Sequence, residues 1–212
     1  MHITAKPSIL YFGTPVIIIT SENKDGTHNL APISSVFWLG WRCIIGIGLN
    51  SQTAQNLIRK RECVINLPSE NEVNQVNKLA LLTGRNPVRA KKQLRGYRYE
   101  PDKFSASGFT QMTSELISIP SVKECPVQME ALVTSINPVG EDEESIRGRI
   151  ISVELKVIRI RLDTSILEAG SFNHVDPDKW RPLMMSFQEF YGLSDRIAAS
   201  TLSQVPERFY KQ

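Results

Sequence analysis

The sequence has few of the residues and motifs that mark the common catalytic and metal-binding classes. Its three cysteines, Cys43, Cys63 and Cys125, lie far apart and form no CxxC pair. This spacing excludes the usual zinc-ribbon, thioredoxin-type and disulfide-framework patterns. No GxSxG, HExxH or P-loop motif is present, so nothing favours a nucleophilic or metal-dependent hydrolase. We expect the thiols to be small buried hydrophobes, with the role of Cys125 left open.

Long apolar runs and a strong net charge are missing as well. No stretch approaches the roughly 20 apolar residues that span a bilayer, and the N-terminus has no basic region followed by an apolar core. We therefore expect a cytoplasmic protein without membrane contact. The net charge of +3 gives no argument for nucleic acid, although it would favour an anionic ligand. The 212 residues suit one large domain or two small ones.

The first third of the chain reads as antiparallel strands. Residues 14–21 (TPVIIITS) are apolar and β-branched, and residues 28–36 and 41–49 form two further candidate strands. Lys24-Asp25-Gly26-Thr27 supplies the first turn, where Gly26 permits a positive φ. Residues 63–67 return to a strand pattern.

Helical spacing separates these strands from the second half. Residues 53–61 carry Ala54, Leu57 and Ile58 at helical intervals. Ser69 and Glu72 fit a capping box, which predicts a second helix that ends at Thr83-Gly84.

A long hairpin is predicted in the second half. Val127 to Val133 alternate, residues 138–145 make an acidic turn, and the return strand alternates from Ile151 to Val157. The phase then slips to Ile158 and Ile160, which predicts a β-bulge near Val157–Ile158. Short antiparallel strands with inserted helices indicate an α+β, mainly β, barrel and not a doubly wound sheet.

The candidate sites that follow from residue types are modest. Gly46 and Gly48 imitate the start of GxGxxG, but Ser51 holds the third position and no βαβ unit surrounds them, so we expect close packing in a barrel. Ser51 or Thr53 can cap the next helix, whose start offers N–H groups to a phosphate. His174 and Asp176 have no further histidine at ligand spacing, which favours a loop-stabilising role.

A basic stretch covers residues 85–98. It contains Arg85, Arg89, Lys91, Lys92, Arg95 and Arg98 and no acid. The stretch can be a solvated helix face and loop, or an electropositive rim that attracts a phosphorylated dinucleotide. The hydroxyl-bearing loop at residues 108–115 is expected to be a turn before an edge strand.

Residues 29–40 (NLAPISSVFWLG) do not suit an ordinary core strand. Small and polar residues, among them Ala31, Pro32, Ser34 and Ser35, stand where larger branched side chains would fill a core. Two aromatic residues, Phe37 and Trp38, follow at once. The stretch is suited to a close approach of the backbone to another group.

The order of these motifs resembles the flavin reductase-like family of FMN-binding split-barrel proteins. The resemblance covers about residues 15–193 and rests on IIIT, the DG turn, NLAPISSVFWL, GIGL, NSQTAQNL, CVINLPS, TGRNPV, GYRYEPDKFSASGFT, SELISIPSVKECPVQMEALV and HVDPDKWRPL, in this order. It implies a closed Greek-key antiparallel barrel with inserted helices. We expect one flavin reductase-like domain over residues 1–212, with a C-terminal extension from about residue 165.

The resemblance also implies a cofactor site and a homodimer with the flavin near the interface. The segment at residues 29–37 would run along the flavin ring, the segment at Ser51 would hold the phosphate, and the C-terminal part, through Trp180 and Tyr191, would reach toward the partner. The residues so implied at the cofactor are Asn29, Ala31, Pro32, Ile33, Ser34, Ser35, Val36, Asn50, Ser51, Thr53, Asn56, Lys103 and Thr110. No catalytic side chain and no metal are implied.

The function implied by the resemblance is an FMN-dependent oxidoreductase, in first place an NAD(P)H:flavin reductase. FMN is the expected cofactor, with FAD as the other flavin, and NADH or NADPH is the expected electron donor. A monooxygenase or another redox protein would be the partner. Two alternatives stay open: a flavoredoxin-like electron-transfer protein or disulfide reductase without direct NAD(P)H turnover, and a non-enzymatic flavin-binding module.

Overall fold

The centre of the fold is a seven-stranded antiparallel sheet. A computed structural model describes residues 1–210, apart from the side chains of residues 207 and 208. The strands of this sheet, in spatial order, are β3 (His28–Ile33), β2 (Ile17–Glu22), β6 (Glu62–Leu67), β11 (Val127–Val139), β12 (Ile150–Leu162), β5 (Arg42–Gly48) and β4 (Val36–Leu39).

The two edge strands of this sheet are neighbours in the sequence. Only Ser34 and Ser35 separate β3 from β4, yet β3 pairs with β2 and β4 pairs with β5 at the opposite edge. The sheet must therefore curl until its two edges meet at this link. The predicted mainly β split barrel is confirmed, although the predicted strand over residues 28–36 is divided at the two serines.

The remaining elements surround the barrel. Shorter strands are β1 (Phe12–Pro15), β7 (Leu82–Thr83), β8 (Arg98–Tyr99), β9 (Gln111–Met112), β10 (Ser121–Val122), β13 (Met184–Ser186) and β14 (Glu189–Tyr191). The helices are α1 (Gln52–Lys60), α2 (Val73–Leu79), α3 (Ala90–Gln93) and α4 (Lys103–Ser107), with 3-10 turns at Glu70–Glu72, Thr164–Ile166, Thr201–Gln204 and Glu207–Tyr210. Among residues 1–210, no helix is long and apolar enough to cross a membrane.

Strand β2 is buried on both faces, which explains its unbroken apolar sequence. Ile17 and Ile19 pack into the barrel core, whereas Val16 and Ile18 pack into a second core with residues of α2 and α4. A strand covered on both sides loses the alternation of a half-buried strand. Helices α2 and α4 are therefore held on one outer face of the barrel, beside β3, whereas α1 packs Ala54 and Leu57 on the barrel core.

The long hairpin carries the predicted bulge. Glu130 pairs with Arg159, and the next residue, Ala131, pairs with Val157, so Ile158 is the extra residue. A second register shift, at Thr134 between Val133 and Ser135, is not foreseen by the alternation. The capping box is also present, since Ser69 and Glu72 bond each other's backbone in both directions.

Two predicted element bounds are wrong for tertiary reasons. The strand predicted over residues 14–21 is interrupted at Val16, whose N–H donates to Leu183 O (2.8 Å), because β1 leaves the barrel to pair with β13. The second helix ends at Leu79 and not at Thr83-Gly84, because Leu82 and Thr83 pair in parallel with β8.

Candidate functional site

A cavity of about 500 Å³ opens beside β3, near the point at which β3 ends its pairing with β2. Its walls come from β3, from the link of Ser34 and Ser35 that follows it (the serine link) and from the strand β5. The start of α1, residues 79–84, the basic stretch at residues 85–98 and α4 complete the walls. Its main polar or small lining residues are Asn29, Ala31, Pro32, Ser34, Ser35, Gly48, Ser51, Gln52, Thr53, Thr83, Gly84, Lys92, Arg95, Tyr97 and Lys103, with Tyr11 at the side.

The outer edge of β3 presents backbone groups to this side. Leu30 O points away from β2 and accepts a hydrogen bond from Lys103 Nζ (2.8 Å). In an edge strand, the backbone N–H and C=O groups of alternate residues face away from the neighbouring strand. Pro32 is one of these outward-facing residues, so its missing N–H removes no hydrogen bond from the sheet. Within residues 1–210, neither the N–H of Ser34 nor that of Ser35 donates a hydrogen bond. Two backbone donors are thus available in the wall.

The serine link is held against β5 by the absence of a side chain at Gly46. Gly46 N donates to Ser35 O (2.9 Å), and a Cβ at Gly46 would lie 3.3 Å from Ser35 Cβ. The expected close packing therefore holds for Gly46. It does not hold for Gly48, where a Cβ would meet no atom nearer than Arg149 O at 3.9 Å.

The start of α1 forms the neighbouring wall. Ser51 is the N-cap, and its Oγ accepts a hydrogen bond from Ala54 N (3.1 Å). Thr53 Oγ1 accepts from Asn29 Nδ2 (3.1 Å), so its own hydroxyl proton is left for another acceptor. The helix start thus combines free N–H groups and a positive dipole end with two hydroxyl groups, a combination suited to an anion.

Asn29 has an unsatisfied acceptor at this point. The residue is 2% exposed, and no donor among the described residues reaches its Oδ1. A Cβ at Gly84 would collide with that oxygen, so only glycine leaves this approach open. A buried acceptor without a partner is costly, and a ligand that carries O–H or N–H groups, as a flavin does on its ribityl chain and ring edge, fits the residues present.

The charge of the cavity wall is positive. Lys92, Arg95 and Lys103 line it, and no acidic side chain does so in the described part of the chain. Lys92 Nζ lies 4.6 Å from the centroid of the Tyr97 ring, and burial, with Arg95 and Arg89 nearby, lowers the pKa of Lys92. The basic stretch therefore contributes to the cavity through Lys92 and Arg95, which agrees with an electropositive rim.

Most of the residues implied at the cofactor are brought together here. The cavity lining includes Asn29, Ala31, Pro32, Ile33, Ser34, Ser35, Ser51, Thr53 and Lys103. Four others lie elsewhere. Val36 is buried in the barrel core, and Asn50 offers its carbonyl to Arg85 Nη1 (3.4 Å).

Asn56 and Thr110 have other partners that explain their absence from the cavity. Asn56 is 1% exposed, donates to Ser21 Oγ (3.0 Å) and Asn23 Oδ1 (2.9 Å), and accepts from Gln52 Nε2. It therefore joins α1 to β2. Thr110 is exposed, and its N–H donates to the Glu124 carboxylate. Neither residue is among those that line the cavity.

Several lining residues are absent from the sequence expectation. Tyr11 reaches Ser35 Oγ with its hydroxyl (3.3 Å) only because β1 pairs with β13, near the other end of the chain. Gln52, Thr83, Gly84 and Tyr97 carry no local pattern that marks a site. For Lys92 and Arg95 the signal exists, since both belong to the acid-free basic stretch.

The loop with His174 and Asp176 lies outside the cavity and serves local structure. His174 O accepts from Glu168 N (3.0 Å), and Asp176 O accepts from Trp180 N (3.0 Å). Over residues 1–210 no cluster of three or more acidic, histidine or cysteine side chains could hold a metal ion. The three cysteines are buried and unpaired, as expected. Trp180 packs on the barrel core, whereas Tyr191 is exposed.

Comparisons with known proteins identify the family of this chain. The Flavin reductase like domain family matches residues 9–194. The protein YdfE of Bacillus subtilis, which is uncharacterized, is 34% identical over 200 residues, covering 94% of this chain and 93% of its own. The chain therefore belongs to the flavin reductase-like family of split-barrel, FMN-binding proteins.

Solved structures share the fold at low identity. Flavoredoxin of Desulfovibrio vulgaris (Miyazaki F) superposes with a TM-score of 0.74 and 16% identity, over 95% of this chain and 98% of that one. Nitrilotriacetate monooxygenase component B from Bacillus cereus gives a TM-score of 0.71 and 21% identity, over 91% and 89% of the two chains. At these identities the likeness extends to the fold alone.

Proposed function

We propose that this chain is an NAD(P)H:flavin oxidoreductase that binds FMN in the cavity beside β3. The observation that carries the proposal is the junction of β3 with the start of α1. Small residues and free backbone N–H groups lie on one side, an anion-suited helix start lies on the other, and the unsatisfied Asn29 Oδ1 lies between them. A flat, polar-edged ring that carries a phosphate matches these three features.

The residues of the chain would divide the work of binding as follows. The backbone at Ser34 and Ser35 would donate to the polar edge of the ring, and Ala31 and Pro32 would let the ring lie close to the strand. Ser51 and Thr53 would hold the phosphate. When bound, FMN would supply N5 as the acceptor of a hydride from a reduced nicotinamide. The protein then has to position two ligands and exclude water, which needs no acidic or basic catalytic side chain.

The positively charged side of the cavity supports a reduced nicotinamide nucleotide as the electron donor. Lys92 and Arg95 would attract the phosphates of NADH or NADPH. An electron-transfer protein or disulfide reductase is the first alternative, and one protein of the same fold is a flavoredoxin. A non-enzymatic flavin-binding module is the second. In both alternatives the protein binds the flavin but does not use NADH or NADPH as its electron donor.

The assembly belongs to the same proposal. Leu39 is 68% exposed, Trp41 57% and Phe37 51%, and all three lie on β4 or the turn that follows it. Such a patch at the rim of the barrel would be covered in a homodimer. We take the chain as one cytoplasmic domain that could serve a monooxygenase partner, since one structural neighbour is a monooxygenase component. Light scattering of the flavin-loaded protein across a dilution series measures the dimer.

The deciding experiment is anaerobic reduction of protein reconstituted with FMN. Mixing with NADH or NADPH should bleach the visible flavin absorbance. A flavin that stays oxidised with both nucleotides but is reduced by a dithiol or a reduced protein partner would favour the first alternative, and one that none of them reduces would favour the second. Protein that takes up no FMN would refute the site itself.

A pair of variants tests the position of the flavin. Ser35→Leu extends a bulky side chain from the cavity wall and should raise the Kd for FMN at least tenfold without loss of the fold. Ser135→Leu, a change at a half-buried serine of β11 away from the cavity, is the matched control and should leave the Kd unchanged. If Ser35→Leu and Ser135→Leu bound FMN with the same Kd, the flavin ring would not lie against the serine link.

A further inference from the structure

A second cavity, of about 560 Å³, lies where the start of β11 and the end of β12 meet the segment of residues 112–126. It shares no lining residue with the cavity beside β3. Its volume falls in the range of small-molecule sites, about 300–1,000 Å³. The polar and charged side chains of its lining include Lys123, Gln128, Arg161 and Asp163.

Gln128 and Arg161 lie side by side in the wall of this cavity. The two residues are paired in the register of β11 and β12. Directly opposed residues of an antiparallel pair project from the same face of the sheet, with Cβ atoms about 5 Å apart. The neighbours of Gln128 along β11, Val127 and Met129, pack on the barrel core. Gln128 and Arg161 therefore project from the outer face of the hairpin.

The carboxamide of Gln128 is held through its nitrogen, and its oxygen is left unsatisfied. Nε2 donates to Val122 O (2.9 Å) and Cys125 O (3.3 Å), and these two acceptors assign the nitrogen end of the group. The residue is 6% exposed, and no donor among the described residues reaches its Oε1. Because a buried acceptor without a partner is costly, a ligand that brings an N–H or O–H group to Oε1 would remove that cost.

The guanidinium group of Arg161 is held in place but is not neutralised. Its Nη2 donates to Ser121 Oγ (2.7 Å), and that hydroxyl group donates to Met112 O (3.1 Å). No ion pair joins Arg161 to a described carboxylate. A guanidinium group has five N–H donors, so most of them have no acceptor within the described residues. Asp163, two residues further on, accepts with its carboxylate from Ser165 N (2.8 Å).

We propose that this cavity binds a small carboxylate that carries an N–H or O–H donor on its α-carbon, as α-amino and α-hydroxy acids do. The carboxylate pairs with Arg161, whose planar guanidinium matches its two oxygens, and the α-donor bonds Gln128 Oε1. Because the two side chains are cross-strand partners, the ligand groups that they bind must be neighbours as well. A carboxylate and a donor on the same α-carbon meet that condition. The inference does not depend on the flavin or on the proposed function.

The rest of the lining favours an aliphatic side chain on this ligand. Met112, Pro126 and Leu162 supply apolar surface. Lys123 is exposed and adds to the positive charge that attracts the carboxylate. Asp163 would repel a second carboxylate on the ligand. A monocarboxylic acid with a branched aliphatic chain is therefore the suitable probe.

Calorimetric titration of the full chain with three acids of the same carbon skeleton tests the proposal. L-leucine carries an α-amino group, α-hydroxyisocaproate carries an α-hydroxyl group, and isocaproate carries no donor on its α-carbon. We expect saturable binding of L-leucine, of the hydroxy acid or of both. Isocaproate should bind at least about tenfold more weakly, the loss expected when a buried acceptor stays unmet.

The three titrations also distinguish the two sources of the ligand. Binding of L-leucine alone would assign the site to amino acids, and binding of the hydroxy acid alone would assign it to hydroxy acids. Equal binding of all three acids would overturn the proposal. So would the absence of saturable binding of any of them up to about 10 mM, a limit equivalent to about −3 kcal/mol.

Variants of two arginines on the same strand separate a ligand site from a structural network. Arg161→Met should weaken binding of the preferred acid at least tenfold. Arg159→Met is the matched control and should bind as the native protein, because Arg159 lies outside the cavity lining and pairs with Glu115 (3.1 Å). Arg161→Lys keeps the charge without the planar fork, should bind with intermediate affinity, and serves where Arg161→Met does not fold. Native affinity in the Arg161 variants, or an equal loss in Arg159→Met, would overturn the proposal.

Discussion

Removal of the Lys103 charge should stabilise the flavin-free protein at neutral pH. Burial lowers the pKa of Lys103 to about 7 in the folded chain, against 10.5 for an ordinary lysine. Below pH 7 both the folded and the unfolded chain hold the proton, and the cost of burying it is fully present. Between pH 7 and 10.5 the unfolded chain keeps the proton and the folded chain releases it, so the free energy of unfolding rises with pH.

The size of the effect follows from these two pKa values. Each pH unit inside the window changes the free energy of unfolding by up to about 1.4 kcal/mol. From pH 7 to 9 the native protein should therefore gain about 2 to 3 kcal/mol relative to Lys103→Met. The carbonyl of Leu30 loses its donor in the variant, a cost of about 1 kcal/mol that does not depend on pH.

Urea unfolding of both proteins without flavin, at pH 6, 7, 8 and 9, measures this difference. The subtraction removes groups common to both, including the buried thiol of Cys63, whose pKa burial also raises. Lys103→Met should be the more stable protein at pH 6 and 7, with its advantage shrinking by pH 9. A variant that is less stable at every pH, by a constant amount, would show that the ammonium group is well compensated and that the side chain serves packing.

Two further predictions concern the cavity and its support. Gly84→Ala brings a Cβ into Asn29 Oδ1, and fluorescence titration should show a Kd for FMN at least tenfold higher; an unchanged Kd would remove Asn29 from the site. Glu130 is 2% exposed and accepts from the N–H groups of Glu115, Leu116 and Ile117. In urea unfolding, Glu130→Gln should therefore lower the free energy of unfolding by about 3 kcal/mol. A loss below about 1 kcal/mol would show that the charge of Glu130 does not hold the loop at residues 115–117.

The parts of the fold that local chemistry decides are the parts that the sequence predicts well. The Ser51 cap needs only neighbouring atoms, and the bulge at Ile158 appears as a phase slip within one strand. The break at Val16 depends instead on Leu183, far along the chain. The sequence contains no local sign of such a contact, because its cause is the pairing of β1 with β13.

The same distinction applies inside the candidate site. Residues 29–35 are recognisable because their small size is wrong for a core strand, and Ser51 because it precedes a helix. Asn56 belongs to the same helix, but the packing of α1 on β2 directs its amide toward Ser21 and Asn23. Gly84 looks like a helix terminator until the structure places it against Asn29. Side-chain direction, and not residue type, decides these cases.

The topology of the barrel explains why the cavity lies where it does. The chain must pass from the edge beside β2 to the edge beside β5 within Ser34 and Ser35, and at that crossing it leaves one ladder before it has fully joined the next. Backbone N–H groups are unpaired there for a geometric reason. Bulky residues at the crossing would obstruct both the turn between the edges and the approach of a ligand. The small residues of 29–35 thus serve closure and binding together, while the charges that would select an anion come from α3 and α4, outside the barrel.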